Sequence, residues 1–134
     1  LLPGSYLWAK CWDTFAPSGP ALVTSDELPD PQNLSVKLWV NGKLRQDFPT
    51  SDMGHNIMRC VEWASSITTL EPGDIIATGT NHQGLGPVQD GDTVEMEIEG
   101  LERLVVHVKD PLKRKWHDGI DQPFADRMAG RTQI

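Results

Sequence analysis

Apolar residues along the chain fall into short runs separated by 10 prolines and 12 glycines, not into long helical stripes. That punctuation predicts a strand-rich fold. Residues 17–33 read PSGP, ALVTSDEL and PDPQN, which predicts a short strand at Ala21–Thr24 between turn-forming clusters. In SVKLWVNGKLRQ, Val36, Leu38 and Val40 alternate with Lys37 and Trp39 and run into Asn41-Gly42. Both turn residues tolerate positive φ, so the pair predicts a hairpin closed by a two-residue I′ turn. One segment has helical periodicity. Thr50 or Ser51 is the expected N-cap, Asp52 suits the positive end of the helix dipole, and Met53, Ile57, Cys60, Val61 and Ala64 share one face, with an end near Ser66. EPGDIIATGT then predicts a turn and a strand centred on Ile75 and Ile76. QDGDTVEMEIEG and LERLVVHV predict a second hairpin turning at Gly100. Past Asp110 the pattern loses its period, and residues 111–134 read as a loosely packed or extended C-terminal tail behind a main unit at 1–110. No internal repeat is visible.

Composition narrows the classes of function. The 134 residues suit one domain, and 38% apolar content predicts a core that needs no disulfide or metal staple. Twelve Lys and Arg against 19 Asp and Glu give a net charge of −7, which argues against a nucleic-acid partner because a duplex calls for a basic face. No run of about eighteen apolar residues occurs, so no membrane helix is expected. The opening LLPGSYLWAKCWDTF lacks the basic-then-apolar pattern of a signal peptide. It also lacks an initiator Met, and the chain is expected to be part of something longer. Cys11 and Cys60 form neither a disulfide framework nor a zinc pattern, which fits a reducing, cytoplasmic setting.

Several residues carry candidate chemistry, each with a plainer alternative. Lys10 stands among Trp8, Ala9 and Trp12 and reads by itself as a surface lysine with its stem on an apolar wall. Thr78-Gly79-Thr80-Asn81-His82-Gln83-Gly84 follows an apolar run and has no nucleotide-binding glycine pattern. A glycine-rich strand end is usually only a turn, yet its backbone N–H groups and Thr hydroxyls also make a carboxylate cradle. His55, His107 and His117 read as structural or solvated, and His82 alone falls in a candidate pocket loop. Glu95, Glu97 and Glu99 alternate with Val94, Met96 and Ile98, so the carboxylates share one strand face. They imitate a hard-cation site, but the expected reading is a solvated face, and no metal ligand is assigned within the chain. Cys60 reads as a small hydrophobe. Cys11 has no His or Asn partner in sequence and is not expected to be a nucleophile.

The order of these motifs resembles a known family. AKCWDTFAPSGPALVTSDELPDPQNLSVKLWVNGKLRQDFPTSDM, then TLEPGDIIATGT and DGDTVEMEIEGL, is similar to the C-terminal catalytic core of the fumarylacetoacetate hydrolase family from about Trp8 to Val108. The resemblance implies a β-rich α+β fold, a mixed-sheet roll with one main helix, and a homodimer. It implies a Mg²⁺- or Mn²⁺-dependent enzyme acting on a small β-diketo acid or dicarboxylate, with hydrolysis of a C–C bond first and decarboxylation or keto–enol isomerisation as alternatives through the same enolate. Lys10 and Thr14 match the family's K-x-[FW]-x-T motif. That match implies that Lys10 stabilises developing negative charge and that Thr14 is a pocket hydroxyl. Gly79-Thr80 matches the pair that holds a substrate carboxylate or carbonyl. Where many relatives continue with proline, this chain has Asn81. In the family's order the metal ligands, an E-x-E pair and an Asp, together with a water-activating His–Glu pair, come before the lysine motif, so they are expected upstream of residue 1. A non-catalytic binding or dimerisation module is the rival reading of the chain by itself.

Overall fold

A computed structural model describes residues 9–128 and 130. Its centre is a four-stranded sheet of β1 (Ser35–Val40), β2 (Lys43–Pro49), β3 (Thr93–Ile98) and β4 (Leu104–His107), in the order β2-β1-β3-β4. Every ladder is antiparallel. Helix α1 spans Ile57–Ile67 and α2 spans Gln122–Met128.

Both expected hairpins form. Asn41 at φ 51° and Gly42 at φ 73° make the left-handed pair that joins β1 to β2. Asn41 also locks this turn to the start of β3: its Nδ2 donates to Asp92 Oδ1 at 2.8 Å and its Oδ1 accepts from the Thr93 N–H at 2.9 Å. The β1–β2 register shifts by one residue between Leu38 and Trp39, because Leu38 faces Gln46 whereas Trp39 faces Leu44. Arg45 is therefore the extra residue of a β-bulge.

Pairing sorts the sheet into two faces. Val36, Leu38 and Val40 lie on the same side as Gln46, Phe48, Val94, Met96 and Ile98, and the opposite side carries Lys37, Trp39, Asp47, Glu95 and Glu97.

The helix starts later than its periodicity predicts. The Thr50 hydroxyl is occupied elsewhere, accepting from the Leu34 N–H at 2.9 Å and donating to the Pro31 carbonyl at 2.9 Å. Thr50–Asp52 makes one 3₁₀ turn that ends in extended backbone at Met53. Asn56 is the true N-cap of α1, its Oδ1 accepting from the Arg59 N–H at 2.8 Å. Gln32 Oε1 takes the Ile57 N–H at 2.9 Å while its Nε2 donates to the Thr50 carbonyl at 3.0 Å, tying the helix start to the turn.

Four further expectations are corrected. Neither Ala21–Thr24 nor Ile75–Ile76 forms a strand. No described strand lies beside either segment, and Leu22 and Ile75 are 94% and 82% exposed. The tail is not wholly extended: Asp121 Oδ1 accepts from the Phe124 N–H at 3.0 Å and caps α2, which buries Ala125. A self-sufficient core is also absent among the described residues. Among the described residues the buried apolar side chains are Val36, Val40 and Ala125, and Met58, Trp63 and Ile67 of α1 face outward. The chain exposes 10756 Å², against about 7,000 Å² for a self-contained monomer of its mass. Apolar content sufficient for a core is present, but among the described residues much of it lies on surfaces that they do not cover.

Candidate functional site

The apolar face of the sheet floors an open cavity of about 640 Å³, with Leu38, Met96 and Ile98 below and the 3₁₀ turn, Cys60 and the Thr78–Asn81 segment around the rim. A second cavity of about 550 Å³ adjoins it and is more polar, lined by His82, Gln83, Gly84, Ile120, Gln122 and Ala125. Asp52 and Asn81 border both. The loop from Thr80 to Gly84 is thus the wall between two spaces.

This loop pairs with no described strand, so its position depends on β2 and on side chains. Gln46 projects from the cavity face, and its Nε2 donates to the Asn81 carbonyl at 2.6 Å and the Gln83 carbonyl at 3.0 Å. The Thr80 hydroxyl donates to Gln46 Oε1 at 3.4 Å. Asn81 closes a small turn by accepting the Gln83 N–H at 2.8 Å on its Oδ1, and its Nδ2 donates to Asp52 across the wall. At Gly84, where φ is 60°, a Cβ would stand 1.8 Å from the Arg45 carbonyl oxygen. Only glycine lets the loop come this close to the bulge. Further along, the Leu85 carbonyl accepts from the Asp121 N–H at 2.8 Å, which joins the same loop to the cap of α2.

Gly79 and Thr80 are exposed and line the larger cavity, and a glycine backbone beside a Thr hydroxyl is an arrangement suited to binding a carboxylate or carbonyl oxygen. Lys10 and Thr14 are not brought to them. Lys10 is exposed on a helical turn, Thr14 is exposed at φ 69°, and neither lines the two cavities. His82 lies in the smaller cavity, and Cys60 is half-buried on the rim of the larger one. Cys11 is exposed and, like Cys60, in no disulfide.

The acidic strand face has a different role from the one it imitates. Arg103 Nη2 reaches Glu97 Oε2 at 2.5 Å and Arg103 Nη1 reaches Glu95 Oε1 at 3.4 Å, while the guanidinium lies 4.7 Å from the centre of the Trp39 ring. Glu99 accepts from the Ser35 N–H at 3.1 Å. Among the described residues no cluster of three or more His, Cys, Asp or Glu side chains converges to hold a metal ion, so they do not fit a divalent-metal centre.

Residues 3–109 match the C-terminal domain of fumarylacetoacetate (FAA) hydrolase. The chain belongs to the fumarylacetoacetate hydrolase family. An uncharacterised family protein of Pyrococcus abyssi is 52% identical over 98 residues, covering 72% of this chain and 43% of that protein. The 4-hydroxyphenylacetate degradation bifunctional isomerase/decarboxylase of Salmonella dublin is 43% identical over 99 residues, 74% of this chain and 23% of that enzyme. Among solved structures, maleylpyruvate hydrolase from Sphingobium sp. SYK-6, in complex with manganese(II) and pyruvate, superposes with a TM-score of 0.70 at 46% identity, covering 73% of this chain and 37% of that one. The chain spans less than half the length of these relatives, and its β-rich α+β fold with one main helix is of the fumarylacetoacetate hydrolase type.

Sequence reasoning missed Gln46, Asp52 and His55 as parts of the site; His55, expected to be structural or solvated, borders the larger cavity. Gln46 carries a signal in retrospect, as a polar residue on a hairpin strand that turns out to face inward. Its direction depends on the bulge at Arg45, and alternation alone points it the other way.

Proposed function

We propose that the chain is part of a divalent-metal-dependent enzyme that hydrolyses a C–C bond in a small β-diketo acid of the fumarylacetoacetate or acylpyruvate type. With an acylpyruvate, water and substrate give a carboxylic acid and pyruvate, the electron pair of the broken bond passing first to an enolate. The observation that carries this reading is the exposed Gly79-Thr80 pair over an apolar sheet face in a family member. Thr80 and the Gly79 backbone bind a remote oxygen of the acid, and the apolar floor excludes water from the carbon chain. The family motif, not a position beside the cavities, is what supports assigning Lys10 as the ammonium where negative charge develops and Thr14 as a pocket hydroxyl. Mg²⁺ or Mn²⁺ would be held by residues outside the described set. Residues 1–110 are taken as part of the catalytic core and 111–134 as a C-terminal tail, in a cytoplasmic homodimer serving aromatic catabolism.

The isomerase/decarboxylase relative favours a second reading. Decarboxylation and keto–enol isomerisation pass through the same enolate, and the described residues suit all three reactions. A product assay separates them: an acylpyruvate is given to the enzyme carrying this chain with Mn²⁺, and pyruvate, CO₂ and enol absorbance are followed together. Stoichiometric pyruvate supports hydrolysis. CO₂ or enol loss without pyruvate removes it. In the same assay Lys10→Ala is expected to lower kcat by about a hundredfold, the usual weight of one electrostatic stabiliser, and unchanged turnover takes Lys10 out of the mechanism.

A further inference from the structure

Gln46 is 8% exposed and is the one buried polar side chain among the described residues. Burying an amide costs free energy unless each of its groups is paired. Gln46 directs its pairing to a single loop: both donor contacts go to the carbonyls of Asn81 and Gln83, and its oxygen accepts from Thr80. The Thr80 contact, at 3.4 Å, is long enough to leave that hydroxyl's hydrogen available to a stronger acceptor such as a carboxylate. The two short contacts do the holding. They fix the backbone immediately after Thr80, and the Gly84–Arg45 approach fixes it again three residues further on.

We infer that Gln46 is a positioning residue for substrate binding: through the Asn81 and Gln83 carbonyls it sets where Thr80 and Gly79 present themselves to the acid group. It touches no reacting atom. The inference rests on reading Gly79-Thr80 as the cradle for that acid group. The β-bulge is part of the device, because the extra residue at Arg45 turns Gln46 onto the cavity side of the sheet.

The test is steady-state kinetics on the metal-loaded enzyme carrying this chain, with an acylpyruvate as substrate, for Gln46→Met, Thr80→Val and the double variant. Gln46→Met keeps the side-chain length and removes every hydrogen bond. It is expected to raise KM about tenfold, the weight of one or two lost hydrogen bonds, while kcat changes less. Thr80→Val is expected to raise KM as well, and the double variant to be no worse than the poorer single one, since both act through one loop. Gln46→Asn keeps the amide but falls short of both carbonyls; it gives the same direction of change in a milder background if Gln46→Met does not fold. An unchanged KM in the Gln46 variants beside an impaired Thr80→Val overturns the role of Gln46 and leaves the cradle standing. An unchanged KM in Thr80→Val removes the cradle and the inference with it. Additive losses in the double variant, with kcat and the thermal midpoint falling in parallel, make Gln46 structural only and also overturn the inference.

Discussion

The two faces of the sheet differ in where their polarity comes from. One face has a conspicuous acidic row, and Arg103 ties Glu95 and Glu97 together while stacking on Trp39. The carboxylates of that row are partnered, partly exposed and on the side of the sheet away from the cavity floor. The other face is apolar over the cavity floor, and its one buried polar side chain among the described residues, Gln46, holds the wall between two cavities by two hydrogen bonds. A cluster of titratable groups is inexpensive when solvent and a counter-ion are at hand, so its presence says little about chemistry. A lone polar group in an apolar setting must be compensated in full, and the compensation locates what the structure is holding in place.

The contrast breaks most sharply at Gly84. Gly84→Ala puts a methyl against the Arg45 carbonyl oxygen at a φ of 60°, so the loop must leave β2. The expected loss is about 2 to 4 kcal/mol in chemical denaturation, with KM for the acid raised at least about tenfold by analogy with losing the Gln46 contacts. A variant with wild-type stability and KM would mean that the loop does not depend on this approach. On the opposite face, Arg103→Gln releases both glutamates but is expected to leave KM and kcat within about twofold, because exposed pairs contribute little. A large kinetic effect there would erase the distinction between the faces. The smallest effect lies outside the sheet. The Arg114 side chain, hydrogen-bonded to Asp110 at 2.8 Å, holds that carboxyl down at about 2 from the usual 3.8. A carboxyl depressed on folding contributes stability that is present above the unfolded value and is lost as pH falls through the folded one. An NMR titration of the Asp110 carboxyl is expected to show a midpoint near 2, and Arg114→Gln to move it up toward 3.8. The same midpoint in both proteins would remove Arg114 as the cause.

The hairpins were legible because their causes are local. Asn41-Gly42 dictates its own turn, and Val94, Met96 and Ile98 alternate with glutamates over a full strand. The helix was legible as a stripe but not at its start, because the competition for the Thr50 hydroxyl comes from Leu34 and Pro31, far back in the chain. Ile75 and Ile76 have the composition of a strand, but a strand is a property of two segments, and no described strand pairs with them. Helix α2 had readable signals in Asp121 as cap and Pro123 in the first turn, which the mixed charge around them obscured. Gly79-Thr80 was legible through its motif. The hydrogen bonds that hold it were not, since residues 46 and 81 to 83 meet only after the sheet has formed.

The bulge at Arg45 makes the chemistry of β2 a matter of counting. From the Asn41-Gly42 turn, the strand reaches Gln46 with one residue more than regular pairing requires, and that surplus sets which alternating set of side chains faces inward. Conservative substitution at Arg45 leaves the count intact. Loss of a single residue anywhere between Lys43 and Arg45 would instead invert the rest of the strand, sending Gln46 and Phe48 outward and bringing Asp47 over the apolar floor. This short stretch is a phase marker for the site, more tolerant of altered letters than of altered length.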